Sequence, residues 1–221
     1  MESRHEHFFE ALAQRLSQPL PGAEAHRKMA SSARNAPPYQ AVPNERTRQS
    51  AVLLLLYPHR GEVFLPLILR PAYEGIHGGQ MAFPGGGHER QDQTLVRTAL
   101  REAQEEIGIK ASDVHVLGAL SGLYIPPSNY QVLPVVGYLP YQPEFFPDPR
   151  EVADVIEVGL DPLSDVRIVG AKEMRVRDAL IQAPFYLVND RTVWGATAMI
   201  LSEFLVVLNE VAAGGGALEQ K

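Results

Sequence analysis

The chain has no cysteine among its 221 residues, which excludes disulfides, thiolate metal sites and cysteine nucleophiles. It also lacks an excess of positive charge: 20 Lys and Arg stand against 26 Asp and Glu, a formal net charge of -6. A general nucleic-acid binder needs a basic face, so no nucleic-acid partner is expected. An anionic small-molecule substrate stays compatible, because bound metal ions supply positive charge locally. The N-terminal stretch MESRHEHFFEALAQRL is charged throughout and lacks the apolar core of a signal peptide. The apolar runs at 52–57 and 196–208 read as too short or too interrupted to cross a bilayer. A cytoplasmic enzyme or binding protein without a membrane partner is the expectation.

What is present is an ordinary globular composition, 45% hydrophobic and 21% charged, enough to bury a core in one domain with additions. Residues 1–48 read as an N-terminal helix followed by an irregular, proline-containing arm. In that helix, at 4–17, Phe8 or Phe9, Leu12 and Leu16 share one stripe. Residues 49–212 read as the domain and 213–221 as a flexible tail. The run SAVLLLLY at 50–57 has the length and continuous apolarity of a strand covered on both faces. It turns at 58–61 into a second strand whose Pro66 suggests an edge or a bulge. Pro84 to Gly87 reads as a tight turn, and Gln93 to Ile107 as a helix with Asp92 as N-cap. Val96, Ala99, Leu100, Ala103 and Ile107 form its apolar stripe, and Gly108 its stop.

Further strands are expected at 114–120, 132–139 and 155–160, with a surface loop YIPPSNY between the first two and a hairpin over 172–188. A final helix at 196–212 is apolar around most of its circumference, which suits deep packing or a subunit interface, so a homodimer is compatible. Strands and helices intermix in a pattern that points to a mixed sheet flanked by helices.

Glu102, Glu105 and Glu106 stand at i, i+3 and i+4, so a helix brings them to one face, where like charges repel. A divalent cation such as Mg²⁺ converts that repulsion into a binding site. Taken alone, three such acids are more often a solvated helix face. The glycines before them, Gly85 and Gly86, let a ligand approach the backbone closely.

With the glycines and Arg101 included, GGGHERQDQTLVRTALREAQEEIGI resembles the signature of the Nudix hydrolases, G-x5-E-x7-R-E-U-x-E-E-x-G-U, where U is bulky and apolar. Arg101, Glu102, Glu105, Glu106, Gly108 and Ile109 fall on the pattern. Ala103 is small for its U position, and Gln93 stands where the first glutamate is expected when the count starts at Gly87. Started at Gly86, the count puts Asp92 there with a spacer one residue longer, a variant that resembles the coenzyme A pyrophosphatase branch. Upstream, Arg70, Gly79 and Phe83 to Gly86 match that branch's L-L-T-x-R-[SA]-x3-R-x3-G-x3-F-P-G-G, with departures at Pro71 and Gly75. The segments NYQVLPVVGYLP, EVADVIEV and VWGATAMILSEFL extend the similarity over roughly 50–208.

The resemblance implies an α/β Nudix-type α/β/α sandwich with a mixed β-sheet, plus the N-terminal helix and arm. It implies Mg²⁺ or Mn²⁺ held by Glu102 and Glu106, with Glu105 bridging or binding a second ion and a backbone carbonyl near Gly85 to Gly87 contributing. Arg101 is expected to pair with Asp92 or a signature glutamate. The general base is sought at Glu151, a residue that reads equally as a plain loop acid, with Glu105 as fallback. Arg70 and His77 are candidates for substrate phosphates and Tyr130 for stacking on adenine, although an exposed loop histidine and a core tyrosine are the blander readings. Trp194 reads as core packing, and His5 and His7 lack a third metal-binding partner. The substrate implied is coenzyme A or a derivative, cleaved to 3′,5′-ADP and 4′-phosphopantetheine. The rivals are ADP-ribose, a dinucleotide polyphosphate or a nucleoside triphosphate, motivated by Gly75, and a non-catalytic nucleotide sensor, which the retained glutamates disfavour.

Overall fold

In the computed structural model the described residues are 2–35, 42–72, 78–176 and 179–216. The N-terminal segment forms α1 (Glu2–Leu16), α2 (Ala23–Lys28) and α3 (Ser32–Asn35). The chain then enters β1 (Arg48–His59), the strand on which the main sheet is built. β2 (Glu62–Leu69), β3 (Met81–Ala82) and β4 (Gly85–Gly87) lead to α4 (Leu95–Ile107). β5 (His115–Ala119), β6 (Leu123–Ile125), β7 (Tyr130–Tyr138), β8 (Asp154–Gly159) and the short α5 (Leu160–Leu163) follow. β9 (Val169–Val176), β10 (Ala179–Val188), β11 (Arg191–Trp194) and α6 (Gly195–Val211) complete the described chain.

β1 runs parallel to β7 from Arg48↔Tyr130 to Leu56↔Tyr138. Its other side is shared: β4 pairs with it at Ser50 to Val52, and β2 at Tyr57 to His59. Flanked along most of its length, β1 is apolar on both faces. Ala51, Leu53, Leu55 and Tyr57 join the core under α4, while Leu54 and Leu56 join the core under α1 and α6, as the period of two requires. The sheet order is β3-β2-β1-β7-β5, with β8 on β2 and β6 on β7, and β9 to β11 form a separate antiparallel sheet. The result is a mixed sheet between helical layers, the α/β sandwich expected.

Several local expectations are corrected. The arm after α1 is not irregular throughout: α2 and α3 lie in it, and Ala25 and His26 of α2 are buried, while 42–47 form no helix or strand. Pro84 to Gly87 is not a tight turn, since Gly85–Gly87 is a strand. The main helix starts at Leu95 with Thr94 as its cap, the Thr94 side chain accepting from the Arg97 amide. Asp92 instead closes a 3-10 turn at Arg90–Asp92, where its carboxylate accepts from the Glu89 amide. Part of YIPPSNY is β6, paired with β7 across a turn in which Asn129 has φ +53°. Pro66 pairs only with Glu157 of β8, because β2 has left β1 after Phe64.

The C-terminal helix also exceeds expectation: Gly195–Gly214 is 20 residues with a mean hydropathy of 1.6, long and apolar enough to cross a membrane. Most of its residues are buried inside the chain, so the apolar circumference belongs to a core helix. Beyond it, 212–216 form a π-helical turn, and 217–221 of the expected tail lie outside the described residues.

One polar group interrupts α6. Glu203 is fully buried and accepts from His26 Nε2 at 2.9 Å, the Gly22 amide at 2.9 Å and the Ser121 amide at 3.2 Å. It ties α2 and the segment before β6 to the core helix, beside the Ser202 hydroxyl bonded to the Ala25 carbonyl and the buried Met29 and Ala30. Burial raises the Glu203 carboxyl, but the hydrogen bonds from His26, Ser121 and Gly22 outweigh it and hold it below its ordinary value. Replacing Glu203 by Ala strands these donors, so urea denaturation at neutral pH should show a loss of about 3 kcal/mol. A loss below about 1 kcal/mol would show that α2 docks by apolar contact alone.

Candidate active site

Glu106 and Glu102 meet the backbone of β4. The Gly85 amide donates to Glu106 Oε2 at 2.7 Å. A Cβ at Gly86 would land on the Glu102 carboxylate, and one at Gly85 (φ +154°) would overlap the Ala51 carbonyl and Val52. Only glycines therefore admit both β1 on one side and the carboxylates on the other. Glu106 is 2% exposed. Burial pushes its carboxyl up to about 7, against the Gly85 amide and Arg70 and with the help of the Glu102 and Glu151 charges. Burial also raises Glu102. Arg70 is the cation facing this pair, its guanidinium 3.9 Å from Glu106 Oε1.

Arg101 holds the helix to the glycine strand. It donates through Nε to Asp92 Oδ1 at 2.7 Å and through Nη2 to Asp92 Oδ2 and the Gly87 carbonyl, both at 3.0 Å. It also contacts Glu102 and Glu105, each at 2.9 Å. Asp92 is 4% exposed and accepts from Thr98 as well. The Arg101 hydrogen bonds hold its carboxyl well below the usual carboxylate range despite burial.

Glu151 reaches the site from a distant loop whose backbone caps α4. The Phe146 and Asp148 amides donate to the Ile107 and Glu106 carbonyls at 2.9 and 3.0 Å, satisfying acceptors that a helix end leaves free. Gly108, at φ +73°, makes room for this crossing, because a Cβ there would lie 2.7 Å from Phe146 Cβ. The Glu151 and Val152 amides then bond back to the Asp148 carbonyl, and Val152 is buried.

These groups line a cavity of about 940 Å³ between the main sheet, the β9–β11 sheet and α6. Arg70, Gly85, Gly86, Glu102, Glu106, Tyr130 and Glu151 all lie on its wall. Glu105 does not: its side chain is 56% exposed, paired with Arg101 at the rim. His77 and Gly75 lie outside the described residues. Trp194, expected as core packing, is half-buried and lines the cavity. Arg48 also lines it, stacked over Tyr130 with its guanidinium carbon 4.1 Å from the ring centroid. No sequence signature carries Arg48; its place at the start of β1, opposite Tyr130, appears only in the fold.

A model of the NUDIX domain matches residues 47–183. The chain is 34% identical over 168 residues to the uncharacterized Nudix hydrolase NudL of Pectobacterium atrosepticum, covering 76% of this chain and 86% of that one. It is 36% identical over 155 residues to its namesake in Yersinia pestis, covering 70% and 77%. The chain belongs to the Nudix hydrolase family. Among solved structures, the Nudix hydrolase RenU from M. smegmatis has the same fold at a TM-score of 0.51 and 20% identity, over 79% of this chain and 91% of that one. The protein is accordingly a hydrolase of pyrophosphate bonds.

Nudix enzymes generally use divalent metal ions, and the residues here fit one. Glu106 is a carboxylate raised first by burial and further by the charges of Glu102 and Glu151, and a cation beside it would favour its ionised form. Among the described residues no three acidic or imidazole groups are gathered as a ready-made cage. Mg²⁺ needs none, since one or two carboxylates with water and substrate phosphates suffice.

The Arg101–Asp92 pair should set acid stability. Asp92 favours its ionised form when folded, so its contribution is complete above the ordinary carboxylate value and is lost as pH falls through the lower folded value. Asp92→Asn should cost about 3 kcal/mol at pH 7, a gap that narrows below about pH 4 in urea titrations. A gap independent of pH would contradict the pairing.

Proposed function

We propose that this Nudix hydrolase cleaves the diphosphate of coenzyme A or a derivative, giving 3′,5′-ADP and 4′-phosphopantetheine products. The observation that carries the reading is the pair Glu102 and Glu106, packed against the glycine strand at the wall of a 940 Å³ cavity. That cavity continues into an apolar stretch lined by Ile125, Pro126, Ile181, Met199 and Ile200. The gem-dimethyl and methylene groups of a pantetheine arm give it apolar surface to set against such a stretch, which the second ribose of ADP-ribose, with its hydroxyls, has little of.

In this reading Glu102 and Glu106 hold Mg²⁺ or Mn²⁺, which when bound supplies positive charge against the charge that gathers on the diphosphate oxygens. Arg70, beside Glu106, contacts a non-bridging phosphate oxygen. The β4 backbone gives the diphosphate a close approach unobstructed by side chains. Glu151 accepts the proton of the attacking water, whose oxygen bonds to phosphorus as the bridging P–O bond breaks and the second phosphate leaves. We assign this role to Glu151 rather than Glu105, since Glu151 lies on the cavity wall with the two buried glutamates and Glu105 does not.

Glu102→Gln and Glu106→Gln should fold and lose at least ~10²-fold in kcat, as expected when charge stabilisation at the reacting centre is removed. Near-normal turnover in either would reject the assignment. Steady-state rates for coenzyme A, dephospho-coenzyme A and ADP-ribose, each with Mg²⁺ and with Mn²⁺, test the substrate. A clear preference for ADP-ribose would reject coenzyme A.

A further inference from the structure

We infer that Arg48, held on the face of Tyr130, is a subsite for a phosphate monoester on the nucleoside half of the substrate, apart from the diphosphate that is cut. The inference rests on the proposed reading of the cavity as a nucleotide-diphosphate site and extends it to the part of the substrate beyond the scissile bond.

The charged side chains on the cavity wall are Arg48, Arg70, Glu102, Glu106 and Glu151. Arg70 stands beside Glu106, 3.9 Å from its carboxylate, and is the cation assigned above to the diphosphate. Arg48 is different: its guanidinium lies over the Tyr130 ring and donates once, through Nη2 to the Ser128 carbonyl at 3.3 Å. Among the described residues no ion pair neutralises it. A guanidinium has five N–H donors, so most of the hydrogen-bonding capacity of this exposed side chain is uncommitted at the edge of a cavity whose other charged groups are one cation and three carboxylates. The ring fixes the guanidinium plane, which lowers the ordering cost of a bidentate contact, and phosphate is the anion whose geometry matches that fork.

Its position matches as well. Arg48, Ser50 and Val52 share one face of β1 by alternation, and Ser50 and Val52 stand opposite Gly87 and Gly85. Arg48 therefore lies two residues, roughly 7 Å, beyond the end of the glycine strand, on the side away from Glu106. The phosphorus atoms carried on the 5′ and 3′ oxygens of one ribose lie a comparable span apart. A nucleoside 5′-phosphate seated at the glycine strand would thus bring a 3′-phosphate to Arg48. The contact also changes the part assigned to Tyr130: one face of its ring is already covered by Arg48, so it serves to position the guanidinium.

The test is calorimetric binding of 3′,5′-ADP and of 5′-AMP to the full-length protein, with thermal melts as a control on folding. The wild type should bind 3′,5′-ADP at least ~10-fold more tightly than 5′-AMP, as a charge-assisted phosphate contact implies. Arg48→Gln should lose most of that preference, and Arg48→Lys should keep part of it, since charge remains without the stacked fork. A wild type without the preference, or an Arg48→Gln protein of normal melting temperature that retains it, overturns the inference. Should Arg48→Gln fail to fold, the wild-type preference and its size in Arg48→Lys decide in its place. Neither ligand contains the scissile diphosphate. If 3′,5′-ADP binds through Arg48 while coenzyme A is not hydrolysed, the subsite stands and the proposed substrate falls.

Discussion

Two carboxylates and a β-strand compete for the same few ångströms, and that crowding organises the site. β4 must lie against β1 to complete the sheet. Glu102 and Glu106 must rise from α4 on the opposite side of β4 to reach the cavity. Side chains at Gly85 and Gly86 would fill the gap twice over, once against β1 and once against Glu102. With glycine there, the Gly85 amide becomes a donor to a buried carboxylate and the strand's surface lies open to a ligand. The cost is electrostatic: Glu106 sits buried with other negative charges nearby and too little positive charge to offset them. Such a group is a natural partner for a divalent ion.

The surrounding structure keeps this arrangement from relaxing. Arg101 ties the helix to the Gly87 carbonyl and to Asp92, so α4 cannot slide away from the strand. At the other end of the helix, the loop bearing Glu151 bonds to the last carbonyls of α4, including that of Glu106 itself. A shift of the helix end would thus move Glu106 and the Glu151 loop together. Gly108 connects these features through its left-handed conformation and the space it leaves for Phe146. Glycines at three places therefore do one kind of job, letting backbone pass where a side chain would block it.

The parts of this account legible in the sequence are those governed by local rules. The continuous apolar run of β1, the stripe of α4, the Gly108 stop and the glutamate spacing all follow from periodicity and capping, and the structure keeps them. The glycine strand reads as a turn in the sequence because three glycines in a row carry no periodicity, and only their pairing with β1 decides. Asp92 has the residue type of a helix cap but stands two residues before the actual cap, Thr94, and its partners Arg101 and Thr98 come together only once the helix is docked. The helices after α1 were hidden by a polar composition that makes sense only beside Glu203. Arg48 carries no local signal, because its place in the site comes from a parallel neighbour 82 residues away.

The measurement that tests the central claim most directly is Mn²⁺ binding, followed by electron paramagnetic resonance, to wild type and to Gly86→Ala. If the glycine strand is what gives the carboxylates their place, the methyl group should displace Glu102. Mn²⁺ affinity should then fall at least ~10-fold, the loss of about one charged contact, while circular dichroism reports an intact fold. Unchanged Mn²⁺ affinity in a folded Gly86→Ala protein would contradict the account.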